Sequence, residues 1–134
     1  MAQDLTSNEM MMMDSSSLAY LGDSVFELQV RSRLILYGIR MADELVKASQ
    51  SYVTATAQAS FLEQLMNFFN DDEKSIIVRG KNMKHKSNHR HISKKDYSSA
   101  TAFECLFGYL FLHGRFERID ELMNSIFYFK RIEI

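Results

Sequence analysis

The chain has 134 residues, 46% of them hydrophobic, and a formal net charge of −1. That length supports one domain with a proper core, and that apolar content excludes a disordered chain. With no proline, only 5 glycines and no apolar run near the ~20 residues of a bilayer span, long helices are favoured over a β-sandwich or a membrane span.

The single cysteine, Cys105, cannot form an internal disulfide, which points to a reducing, intracellular compartment. The amino terminus lacks a basic region followed by an apolar core, so no secretory signal is expected. Charge is unevenly placed. Of the 16 lysines and arginines, 7 lie between residues 79 and 95, with no acid among them. The rest of the chain is acidic. Such a concentration suits a local contact with a polyanion rather than a uniformly basic binder.

Residues 1–14 are polar and methionine-rich and read as an N-terminal tail. Residues 15–134 read as one domain without internal repeats. Asp14 and Ser15 to Ser17 supply N-cap candidates for a first helix from about Ser16 to Tyr37, with Gly38 as its C-cap. Leu18, Leu21, Val25 and Leu28 line one face of that helix, and Phe26 and Val30 another. A helix apolar on two faces belongs between other helices. Asp43 caps a short helix to about Gln50. Ser51 starts the next, from Val53 to Phe69, with Phe61, Leu65 and Phe68 inward. Asn70 and Asp71 break it. Asp72 to Arg79 forms another short helix around Ile76 and Ile77.

Gly80 to Asp96 reads as a basic loop, with Met83 and Ile92 as its apolar anchors. Ser98 and Ser99 cap a helix from Ala100 to about His113, ended by Gly114. The last helix carries Phe116, Ile119, Leu122, Met123, Ile126 and Phe127 on one face. The predicted architecture is an all-α bundle.

Two acids stand out. Asp23 points to the side of Phe26 and Val30, where an uncompensated carboxylate is expensive. Gly22 beside it costs about 1 kcal/mol against alanine, so it is expected to let another backbone or a ligand come close. Glu104 falls in the apolar stripe of Ala100, Phe107 and Phe111, with Gly108 one turn on. For each acid alone, pairing with an arginine or capping of a backbone group competes with a functional role. Together, on helices that glycines let approach, they make an oxygen-ligand site suited to Mg²⁺. Glu27, one turn beyond Asp23, is either a further ligand or a solvated, salt-bridged position. His85, His89 and His91 sit among lysines, which disfavours a cation, and His113 is placed to cap a helix end. Cys105 has no partner at zinc spacing and reads as a structural thiol. No phosphate-cradling glycine loop and no serine-nucleophile motif is present. The basic loop, through Arg79, Lys81, Lys84 and Lys86, suits a duplex backbone read by shape. Its competing reading is a solvated insertion. With only Tyr97 aromatic nearby, stacking on single-stranded bases is unsupported.

Three stretches carry a family resemblance: Ala19-Tyr20-Leu21-Gly22-Asp23-Ser24-Val25-Phe26-Glu27, Val78-Arg79-Gly80-Lys81-Asn82, and Ser99 to Leu112 followed by Glu117-Arg118. In order and spacing they resemble a ribonuclease III catalytic domain, more closely its short form, Mini-ribonuclease III, which lacks a double-stranded-RNA-binding domain. The resemblance implies an all-α endonuclease acting as a homodimer on double-stranded RNA, with the glycine–aspartate helix at the two-fold interface. It implies Asp23 and Glu104 as catalytic ligands of Mg²⁺, 5′-phosphate and 3′-hydroxyl products, and precursor 23S ribosomal RNA as substrate, with a ribosomal protein as a candidate shaper of that RNA. It implies a bacterial cytoplasm or a plastid interior. Where full-length relatives carry further acids this chain has Ser16, Ala19 and Thr101, so a site richer in water ligands is expected. Those replacements also support the alternative: a non-catalytic RNA-binding or ribosome-associated dimer that kept the fold.

Overall fold

The computed structural model of the chain describes residues 6, 8–9, 12–83 and 92–132, the last two by backbone alone. Most of the methionine-rich tail lies outside the described residues. So do Lys84, His85, Lys86, His89, Arg90 and His91. The described architecture is all-α: α1 (Ser15–Leu36), α2 (Ala42–Val53), α3 (Ala55–Leu65) with a 3₁₀ turn (Met66–Phe68), α4 (Asp71–Lys81), α5 (Lys94–Leu112) and α6 (Phe116–Ile132).

The fold is built around α5. From Ser99 to Leu110 every residue is buried except Glu104, which is partly so. A helix apolar nearly all round must be enclosed, and α1, α3, α4 and α6 all pack on it. Aromatic rings join the layers. Phe26 of α1 meets Phe103 of α5 edge-on at 4.9 Å and Phe107 at 5.3 Å. Phe61 of α3 reaches the same Phe103 at 6.3 Å, and Tyr52 of α2 stacks on Phe127 of α6 at 4.5 Å. Such pairs add about 0.5–1.5 kcal/mol each beyond their buried area.

The closest packing is between α1 and α5. A Cβ on Gly22 would lie 1.6 Å from the carbonyl oxygen of Glu104 and 2.9 Å from the nitrogen of Gly108. A Cβ on Gly108 would lie 2.1 Å from the carbonyl oxygen of Leu18. The two glycines therefore face each other and bring the two backbones into contact, as expected for Gly22. Gly38 and Gly114 have a different task. They follow α1 and α5 with φ of +117° and +69°, a conformation that glycine adopts without a Cβ penalty.

α4 is anchored at its start. The Asn70 side chain accepts from the Glu73 N–H at 2.8 Å, and Glu73 accepts from the Asn70 N–H at 2.9 Å, a reciprocal cap. Glu73 is 1% exposed, and its charge is met by Arg118 of α6 through two bonds of 2.8 Å. Arg118 also donates to the Phe68 carbonyl at 2.6 Å and to Glu121 at 2.9 Å.

Several expected boundaries move. Ser51 lies inside α2, and the break falls at Thr54, whose hydroxyl accepts from the Ala57 N–H at 3.2 Å. No glycine or proline marks that break. The expected Val53-to-Phe69 helix is therefore α3 plus the 3₁₀ turn, and that change of winding puts Phe68 outward. α5 starts at Lys94, capped by Ser93 accepting from the Asp96 N–H at 3.0 Å, not at Ser98 or Ser99. Its first turn is polar, so periodicity could not reveal it. α4 runs through Lys81 and α5 starts at Lys94, so both ends of the expected basic loop are helical. Leu28, Phe111 and Phe116 are exposed, and Phe111 of α5 and Phe116 of α6 meet each other edge-on at 5.6 Å outside the core.

Gly22→Ala is expected to destabilise the protein by about 3 kcal/mol, because the obstruction is backbone and cannot swing aside. Gly38→Ala, with nothing within 4 Å, should cost about 1–2 kcal/mol of backbone strain only. Chemical denaturation of the two variants tests the ordering. Arg118→Ala should cost about 3–5 kcal/mol by stranding Glu73. Adding Glu73→Gln, which keeps the cap acceptor without the charge, should recover part of that loss in the same measurement.

Candidate metal centre

The close crossing of α1 and α5 decides where the two acids fall. Asp23 follows Gly22, and the Glu104 carbonyl is what Gly22 touches. The side chains of Asp23 and Glu104 come close enough there for the Asp23 charge to act on Glu104. Residues 81 positions apart in sequence are thus brought together, the two expected ligands among them.

Their surroundings differ. Glu104 is partly buried, and burial pushes its carboxyl up to about 8, helped by the Asp23 charge, by donation of its own proton to Asp23 and by the nearby Glu27 charge. Asp23 is exposed, not largely out of water as its place on the wheel suggested. A wheel gives direction, but not how high flanking helices rise beside a residue. The pair therefore has one half-buried acid and one solvated acid.

A proton shared between two carboxylates occupies the place of a cation. The donor set is all oxygen, which fits a hard divalent ion such as Mg²⁺. Among the described residues no group of three or more His, Cys, Asp or Glu gathers at one point. Two protein carboxylates suit an ion that keeps several waters. Glu27 is held by Arg31 at 3.1 Å, the salt-bridged arrangement on an exposed helix face.

Thr101 and Ser16, two positions without the further acids of full-length relatives, do other work. Thr101 is buried and donates its hydroxyl to the Tyr97 carbonyl at 2.9 Å. Ser16 is exposed and donates to the Asp14 carboxylate. Cys105 is buried, donates its thiol to the Ser15 carbonyl at 3.1 Å, and is pushed up to about 12 by burial and by Glu104. It is an inert packing group tied to the start of α1. His113 occupies the C-cap of α5 and packs against Tyr109 at 5.1 Å.

Of the basic candidates, Arg79 is partly buried and donates to the Met13 carbonyl at 2.6 Å, which ties it to the entry of α1. Lys81 is exposed at the end of α4, and Lys84 and Lys86 lie outside the described residues. The ion pair of Glu73 with Arg118 was missed from sequence. The spacing Asn70-x-x-Glu73 signals its cap, but nothing local identifies an arginine 45 residues away.

Stability should report the acid pair. With its folded value raised above the usual carboxylate range, Glu104 destabilises the metal-free protein as pH rises from about 4.5 through about 8. Glu104→Gln should therefore raise the stability of the metal-free protein by about 1–2 kcal/mol at pH 9. The difference should vanish near pH 4, where the carboxyl is protonated folded or unfolded. Thermal melts in EDTA at the two pH values measure it.

Known proteins with similar chains can now be set beside this geometry. Residues 16–115 match the family model described as Ribonuclease III domain. The chain is similar to the Mini-ribonuclease 3 of Brevibacillus brevis, at 42% identity over 110 residues, covering 82% of each chain. It is also similar to the Mini-ribonuclease 3 of Staphylococcus aureus, at 34% identity over 121 residues, covering 89% of this chain and 90% of that one. A crystal structure of a Fusobacterium nucleatum protein superposes with a TM-score of 0.80 at 26% identity, covering 91% of this chain and 98% of that one.

Proposed function

The chain belongs to the ribonuclease III family, and from that premise we propose that Asp23 and Glu104 form the catalytic metal centre of an endoribonuclease acting on double-stranded RNA. The observation that carries this reading is the meeting of the two carboxylates at the Gly22–Gly108 crossing. Mg²⁺ is the ion the oxygen-only donor set favours, and when bound it supplies a water nucleophile at neutral pH and offsets charge on the scissile phosphate. Asp23, the solvated member of the pair, is the ligand that substrate reaches first. To hold the ion Glu104 would have to be deprotonated, so metal binding should release protons near neutral pH. The two helices fix both carboxylates before substrate binds, and no rearrangement is required of them.

Residues 15–134 act as one catalytic domain behind a short tail. Hydrolysis leaves a 5′-phosphate and a 3′-hydroxyl, and precursor 23S ribosomal RNA is the substrate class in view. A ribosomal protein that shapes that RNA is a candidate partner. The active form is a homodimer whose protomers meet along α1. Support comes from Tyr20 and Leu28, apolar residues at 85% and 61% exposure on the same helix as Asp23, left without cover in one chain. Duplex RNA then lies across both protomers. Arg79, Lys81, Lys84 and Lys86 contribute phosphate contacts, Arg79 in part through its tie to Met13. No helix of the described residues is long and apolar enough to cross a membrane. A bacterial cytoplasm or plastid interior is the proposed site of action.

Asp23→Asn should reduce cleavage of a perfect RNA duplex in Mg²⁺ by at least about a thousandfold, while leaving thermal stability in EDTA within about 1 kcal/mol of the parent. Gel mapping of the ends, with and without Mg²⁺, measures it. Near-normal cutting by Asp23→Asn would remove the pair from the mechanism.

A further inference from the structure

Charge is divided between the two ends of α4 and α5. The end that carries Arg79, Lys81, Lys94 and Lys95 is basic. At the opposite end the 3₁₀ turn and the start of α4 meet the turn into α6. There residues 66–74 and 113–121 hold six acids against three lysines and arginines. The charges of Asp72, Glu73 and Arg115 all act on Tyr109, which gathers these segments at the carboxyl end of α5. Such a place repels a polyanion and attracts a basic surface.

A cavity of about 710 Å³ opens at this end, between the 3₁₀ turn and the start of α6. Phe68 and Phe116 line it at 59% and 57% exposure, and the 42% exposed Phe111 meets Phe116 edge-on. Apolar rings gathered on one face, rather than scattered singly, mark a surface that a partner covers. The charges in the wall differ in what they can offer. Arg118 is spent on Glu73, Glu121 and the Phe68 carbonyl. Among the described residues Glu117 forms no ion pair, and neither do Asp71 and Asp72 beside Asn70. First turns of α6 and α4 suit these carboxylates but leave them exposed. Arg115 is the opposing cation in the lining, and the unpaired acids outnumber it.

We propose that this face is the docking site of a basic protein segment. The segment seats an apolar side chain between Phe68 and Phe116 and sets arginine or lysine against Glu117 and the acids that open α4. Arginine fits best, because its guanidinium stacks on a phenylalanine ring and bonds a carboxylate at once. His113 is nine residues beyond Glu104, about 13 Å along the axis of α5, so a docked segment leaves the metal centre open. The inference stands apart from the nuclease reading and does not need it.

The probe is a fluorescein-labelled peptide, Gly-Arg-Leu-Arg-Phe-Arg-Gly, with glutamate in place of each arginine in its control. Anisotropy at low salt should show saturable binding of the first and none of the second. Phe116→Ala and Phe68→Ala should each weaken binding about fivefold or more, and Glu117→Lys about tenfold. Arg115→Gln should tighten it. Glu44→Lys makes the same charge change on α2 and should leave affinity within about twofold. All these side chains are exposed, so each variant should keep the parent's melting temperature. Equal binding of the glutamate peptide, unchanged affinity in Phe116→Ala and Phe68→Ala, or equal losses in Glu44→Lys and Glu117→Lys would each overturn the site. Duplex RNA that displaces the peptide, and binds Phe116→Ala less tightly than the parent, would assign the face to nucleic acid and overturn the proposal. So would sedimentation showing that the parent self-associates and Phe116→Ala does not, which would assign the face to a second copy. A parent that binds the peptide but cuts no duplex RNA fails the nuclease reading and leaves this site standing.

Discussion

The contact on which this structure depends is made by what two residues lack. Gly22 and Gly108 have no side chains, so α1 and α5 touch backbone to backbone. Any Cβ there would meet a carbonyl oxygen at a distance that atoms do not reach. Glycine weakens each helix by about 1 kcal/mol. The close approach offsets this by seating Phe26 against Phe103 and Phe107, and Leu18 in the core. It also brings a carboxylate from each helix to one place. Packing and chemistry share one cause.

The protein manages its two inward acids in opposite ways. Glu73 is fully enclosed and fully answered, by Arg118 from the side and by the start of α4 from below. It is a structural charge, costly to strand. Glu104 is only partly enclosed, and its nearest charged neighbours are other acids. A carboxyl left in that condition holds its proton into the neutral range. The contrast between a satisfied buried acid and an unsatisfied one separates scaffold from site more sharply than burial does, since Glu73 is the more buried of the two.

Much of this was legible in the sequence, for identifiable reasons. The glycine beside Asp23 and the one a turn from Glu104 broke helical propensity in apolar surroundings, and such violations mark sites. The all-α class followed from composition and from the strong stripe of the last helix. Helix starts were less legible, because they depend on polar caps. Ser93 and Thr54 resemble any serine or threonine until the turn beyond them is placed. The exposure of Asp23 was hidden because it depends on the height of a neighbour, which no local pattern encodes. The match of Arg118 to Glu73 is a long-range pairing with no periodic trace.

The glycine crossing also limits how chains of this kind can change in length. One residue inserted into α1 between Leu18 and Asp23 would turn everything beyond it by about 100°. The carboxylate would leave its partner and a bulky group would meet the α5 backbone. The same holds in α5 between Glu104 and Gly108. Insertions and deletions should therefore accumulate in the connections between helices and be purged from these two helical intervals. The connections can vary without disturbing the register that places the acids.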